Sequence, residues 1–90
     1  MIKHFNITIS GRVQGVGFRY HTKQTARMYQ LAGFVRNLYD GSVYIEVEGE
    51  EKNLTHFINW CYQGPSLSRV KNVELEEGEI KKYAFFEVKF

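Results

Sequence analysis

Phe5, Ile7 and Ile9 alternate with His4, Asn6 and Thr8, the two-residue period of a strand with one buried face. A glycine-dense stretch follows at once, Gly11-Arg12-Val13-Gln14-Gly15-Val16-Gly17-Phe18-Arg19. From about Tyr20 to Ala32 there is no proline or glycine, and Thr22, Ala26 and Tyr29 fall at helical spacing with Met28 and Leu31 near that face. Gly33 is placed to stop this helix in a left-handed conformation. Phe34 to Tyr39 and Ser42 to Glu48 read as two strands around Asp40-Gly41, a hairpin signal because both residues tolerate positive φ.

Val43, Ile45 and Val47 mark the inner face of the second hairpin strand. Between Glu50 and Tyr62, Leu54, Phe57, Ile58 and Cys61 fall at i, i+3, i+4 and i+7, predicting a second amphipathic helix that ends before Gly64-Pro65. Beyond it the chain reads as extended. Val73 and Leu75 alternate with charged residues, Gly78 interrupts, and Phe86, Val88 and Phe90 are expected on one side of a last strand. The order β-α-β-β-α-β with an extra short C-terminal strand predicts a ferredoxin-like α+β sandwich, an antiparallel sheet with two helices on one face. Ninety residues suit a single domain over 1–90. Because this fold hosts many unrelated activities, function has to come from the residues.

Composition excludes several classes. A lone cysteine, Cys61, rules out an internal disulfide, and its helical apolar setting predicts a buried, inert thiol. No stretch has the continuous apolar core of a signal peptide or the length of a membrane span, so a soluble cytoplasmic protein is expected, with no membrane partner. The net charge of +2 is unevenly spread: residues 1–39 hold six basic side chains and no carboxylate, whereas residues 40–90 hold six basic and ten acidic ones. The glycine-dense stretch lies in the acid-free part, which favours a small anionic ligand over a metal.

A glycine-rich turn between a strand and a helix points backbone N–H groups and the helix N-terminus into one concavity, and Arg19 adds a planar, permanently charged fork. An ordinary β-to-α connection with a surface arginine is the competing reading. The Walker and dinucleotide patterns both fail, because Val16-Gly17 stands where Gly-Lys is needed and Tyr20 where a third glycine is needed. The place of a phosphocysteine nucleophile, six residues before the arginine, is Val13. His4, His21 and His56 are separated singles without ligand spacing, each expected at the surface or a helix end, so no metal and no cofactor is expected.

An anion cradle without nucleophile or metal can still promote phosphoryl transfer, whose loose transition state needs positioning and charge stabilisation. Without a general acid, the leaving group must depart unaided. A carboxylate of pKa about 4 does so, which points to a mixed anhydride of carboxylic and phosphoric acids. Asn37 is the candidate for placing the attacking water, since its amide carries both a donor and an acceptor; an edge-strand or turn asparagine is the alternative.

GRVQGVGFR (Gly11–Arg19) and GFVRNLYDGSVYIEVEG (Gly33–Gly49) closely resemble the two motifs of the acylphosphatase family, and the similarity extends to Gly64-Pro65-Ser66, Ser68 and Val70. The resemblance implies a metal-independent hydrolase that converts acyl phosphates into a carboxylate and inorganic phosphate, working as a monomer on a small-molecule substrate. Arg19 then matches the family arginine that grips the phosphate, beside backbone N–H groups of Gln14, Gly15, Val16, Gly17 and Phe18. Asn37 matches the family asparagine that orients the water. Two rivals remain open. A non-catalytic module binding phosphate or carbamoyl phosphate would keep the pocket without turnover. RNA binding is disfavoured, because the outer face of the first strand carries His4, Asn6, Thr8 and Ser10 instead of aromatic residues and the overall charge is balanced, so no nucleic-acid partner is expected.

Overall fold

β3 (Val43–Glu50) forms the centre of a five-stranded sheet in the computed structural model, which describes all residues 1–90. β1 (Ile2–Arg12) and β2 (Ala32–Asn37) flank it, both antiparallel to it, while β4 (Arg69–Gly78) pairs antiparallel with β1 at one edge. The short β5 (Phe86–Val88) closes the other edge in parallel with β2, Gly33 opposite Phe86 and Val35 opposite Val88. The sheet is therefore mixed, and this last strand is the exception to the antiparallel pairing expected throughout.

Alternation decides what faces the helices. Ile7 and Ile9 of β1, Val35 of β2 and Val43, Ile45 and Val47 of β3 all point to one side and are fully buried. There they join Phe18 and Ala26 of α1 (Phe18–Met28) and Leu54, Phe57 and Cys61 of α2 (Glu51–Gln63) in one contiguous core. Burial pushes the Cys61 thiol well above its ordinary pKa, which leaves it unreactive.

α1 stops earlier than its sequence pattern suggests. Gln30, not Gly33, takes the left-handed conformation at φ 58°. The N–H of Leu31 donates to Ala26 O at 2.9 Å and that of Gln30 to Arg27 O at 3.1 Å, the paired bonds of a Schellman cap. Gly33 serves β2 instead, because at φ 143° a Cβ there would run into the carbonyl oxygen of Glu46 on β3. The hairpin connection is also longer than a two-residue turn. Leu38 N–H donates to Ser42 O at 2.9 Å, only Gly41 has positive φ, and the Asp40 carboxylate accepts the Ser42 N–H.

The helix-free face is covered in part by residues 79–85, which cross it between β4 and β5. Their anchor is Glu48, 5 % exposed, whose two oxygens accept the N–H groups of Lys81 and Tyr83, each at 2.9 Å. Glu48 also meets His4 Nδ1 at 2.8 Å, and His4 Nε2 lies 2.9 Å from Asn6 Oδ1 and 3.3 Å from Glu46. His4 is thus 1 % exposed, contrary to the surface place expected for it, because the crossing segment converts an outward strand position into an interior one. Glu46 accepts the hydroxyls of Tyr44 and Tyr83 at 2.8 and 2.9 Å. Burial pushes both phenols up to about 12, with the neighbouring carboxylate adding to the shift.

Burial opposes the charge on Glu48, but the Lys81 and Tyr83 N–H groups and the His4 ring outweigh it and hold the carboxyl below its ordinary value. The native state then binds fewer protons than the unfolded chain in the acid range, so this contribution is complete above the ordinary glutamate pKa of about 4.3 and is lost as pH falls through the lowered native value. Urea unfolding at a series of pH values should show stability falling below about pH 4.3, with a shallower fall in Glu48→Gln; equal slopes would contradict the assignment. Two backbone substitutions should move stability in opposite directions. Gln30→Gly should add about 0.5–1 kcal/mol by removing the left-handed penalty, whereas Gly33→Ala should cost about 2–3 kcal/mol in the same unfolding measurement.

Candidate active site

β1 runs through Arg12, so the first two residues of the glycine-dense stretch belong to the strand and the free loop is Val13 to Gly17. Val13 is fully buried and pins the loop to the core. Gly15 and Gly17 have φ of 74° and 76°; a Cβ at Gly15 would meet nothing and one at Gly17 only ordinary contact with the His21 ring at 3.6 Å. Glycine is needed at both for conformation, not for space. Gly17 is also the N-cap residue of α1, with no side-chain cap and no acidic residue in the first turn. None of the N–H groups of Gln14, Gly15, Val16 and Gly17 donates to a backbone carbonyl, so the loop and the helix end present donors free for an anion.

Arg19, the second residue of α1, is half-buried beside the loop. Its Nη1 donates to Lys89 O at 3.4 Å, its guanidinium stands 4.6 Å from the centre of the Phe90 ring, and no carboxylate lies within 4.0 Å of it. Asn37 ends β2, and its Oδ1 is buried without any hydrogen-bond partner. A buried acceptor left unpaired is uncommon and calls for an explanation. Gln14, Gly15, Gly17, Phe18, Arg19 and Asn37 all line one cavity of about 520 Å³. Val16 does not; its half-buried side chain packs against the core. Of the expected site residues, Val16 alone is off the cavity wall.

Three features of the cavity had no clear sequence signal. The Gln14 side chain donates through Nε2 to Leu38 O and Ser42 O, both at 2.8 Å, tying the loop to the connection that follows Asn37. These acceptors are main-chain atoms and leave no trace in residue identity. Lys23 and Arg27 of α1 also reach the wall, as do Glu87, Val88 and Phe90. Phe90, expected on one side of the last strand with Phe86 and Val88, lies beyond the end of β5, is exposed, and stands under Arg19.

The acylphosphatase family profile matches residues 5–88. An acylphosphatase of Archaeoglobus fulgidus is 48 % identical over 84 residues, spanning 93 % of this chain and 94 % of its own. That of Oceanobacillus iheyensis is 44 % identical over 91 residues, spanning 99 % and 100 %. The crystal structure of acylphosphatase from Bacillus subtilis superposes with a TM-score of 0.95 at 35 % identity, covering both chains completely. With the family profile, the full-length relatives and the superposed fold in agreement, the chain belongs to the acylphosphatase family, enzymes that hydrolyse acyl phosphates.

Proposed function

We propose that this chain hydrolyses acyl phosphates by direct attack of water, with the phosphoryl group held in the Gln14–Phe18 loop and gripped by Arg19, and with Asn37 orienting the water. The observation that carries the reading is that Asn37, whose Oδ1 makes no hydrogen bond within the protein, lines the same cavity as Arg19 and the loop. Water accepts no role without a hydrogen-bond partner to aim it, and this oxygen supplies one. Its oxygen forms the new bond to phosphorus while the P–O bond to the acyl oxygen breaks, the electron pair leaving on the carboxylate. One water proton stays on inorganic phosphate and the other is released. The loop N–H groups and Arg19 stabilise the equatorial oxygens through this step.

A metal-independent route without covalent intermediate is supported by the donor set. Glu87 is the single acidic side chain on the wall, no three His, Cys, Asp or Glu side chains gather to hold an ion, and the one thiol is buried in α2. We take residues 1–90 as one domain acting as a monomer in the cytoplasm on small molecules, a reading supported by the single core and the free cysteine; no helix is long and apolar enough to cross a membrane. Nothing in the site favours binding without turnover.

Release of benzoate from benzoyl phosphate, followed in the ultraviolet, tests the proposal. Turnover should persist in EDTA, and a phosphate monoester should be inert. Arg19→Ala should raise KM and lower kcat together, with kcat/KM down by about 10³ or more, whereas Asn37→Ala should lower kcat by about 10²–10³ at little-changed KM. Near-normal turnover in Arg19→Ala would refute the assignment.

A further inference from the structure

Arg19, Lys23 and Arg27 recur every four residues along α1, one per turn, with about 6 Å of rise between successive positions. All three reach the same cavity, and none has a carboxylate within 4.0 Å. Uncompensated cations sharing a concave wall focus a positive potential into it. The phosphoryl site uses Arg19, the loop and the helix end. Lys23 and Arg27 are left over, and Glu87 is the one acidic side chain that opposes them on the same wall. Arg27 is held in place, since its Nη2 donates to Phe86 O at 3.3 Å. The cavity of about 520 Å³ far exceeds a phosphoryl group, and Val88 and Phe90 give its wall an apolar side.

We propose that Lys23 and Arg27 form a second anion subsite, which makes the enzyme selective for acyl phosphates whose acyl group has an apolar body and a second negative charge at its far end. The inference rests on the hydrolase reading above. In it, the apolar body of the acyl group lies along Val88 and Phe90, and its terminal anion meets the two cations one and two turns down α1 from Arg19. Glu87 sets the upper limit of the preference by repelling the same anion.

Benzoyl phosphate and 4-carboxybenzoyl phosphate form a matched pair of probes, alike in ring and reacting group and different in the distal charge. The ratio of their kcat/KM values in the wild-type enzyme should favour the carboxylated substrate by about tenfold at low ionic strength, the scale of two partly screened charge contacts. That ratio should shrink as salt is added, fall to near one in Lys23→Gln/Arg27→Gln, and rise in Glu87→Gln. A wild-type ratio near one with brisk benzoyl phosphate turnover overturns the subsite alone. A preference that survives the double substitution does the same. If the wild-type enzyme turns over neither substrate, the hydrolase reading falls and the subsite with it.

Discussion

Val43 is the residue on which both halves of the proposed active site are registered. It pairs with Ile9 of β1 on one side and with Asn37 of β2 on the other. Because both flanking strands run antiparallel to β3, they run parallel to each other, and their carboxyl ends reach the same edge of the sheet. The loop after β1 and the last residue of β2 are therefore held about two strand spacings apart, roughly 10 Å, before any side chain of the site is considered. The Gln14 amide then locks this arrangement by bonding the main chain on both sides of the Leu38–Ser42 connection. A slip of β2 by one residue against β3 would turn Asn37 to the opposite face and take Val35 out of the core, while β3 stays registered on β1. The apolar alternation that builds the core is thus also what aims the proposed water-orienting side chain.

The far wall of the cavity depends on a different device. β5 reaches the edge beside β2 only because residues 79–85 cross the helix-free face, and that crossing is fastened by the Glu48 carboxylate and by Tyr83 on Glu46. Once there, Gly33 N–H donates to Phe85 O and Lys89 N–H to Val35 O. Lys89 O in turn receives Arg19, and Phe86 O receives Arg27. A buried acid–histidine cluster on one face of the sheet is in this way connected to the placement of two arginines at the other. Such a cluster is stable only when every member is satisfied, and Glu48 reaches that state through two backbone donors and one ring.

Periodicity carried most of the fold, since the strands and helices that bury Ile7, Ile45 and Phe57 show their period directly in the sequence. It failed where a local signal competed with a tertiary one. Gly33 looks like a helix stop, but the close approach of Glu46 requires glycine inside β2, and the stop falls to Gln30. His4 sits in register with polar neighbours and was read as exposed; only a segment almost eighty residues later in the chain buries it. The parallel pairing of β5 likewise depends on a crossing that no short-range pattern encodes. At the site, Arg19 and the loop glycines stood out by residue type and spacing, and Asn37 by its chemistry. In the sequence Gln14 stands out only for its backbone, and Lys23 and Arg27 count only toward the basic charge of residues 1–39, because what defines all three is a cavity wall made by distant elements.

The absence of carboxylates from residues 1–39 takes on a physical meaning in the folded molecule. The loop, α1 and β2, which build most of the cavity, all come from that part of the chain, and the single acidic wall residue arrives from β5. An acidic side chain near the loop would compete for the same N–H groups and weaken the positive field that favours an anion there. Asn37 fits the same logic from the other side. In the role proposed for it, a neutral amide offers water an acceptor without the negative charge that an aspartate would set beside a bound phosphoryl group. A buried, unpaired acceptor costs about 1–3 kcal/mol, and Val35 and Val43 beside it, fully buried and fixed in register, supply the sheet stability that offsets this cost.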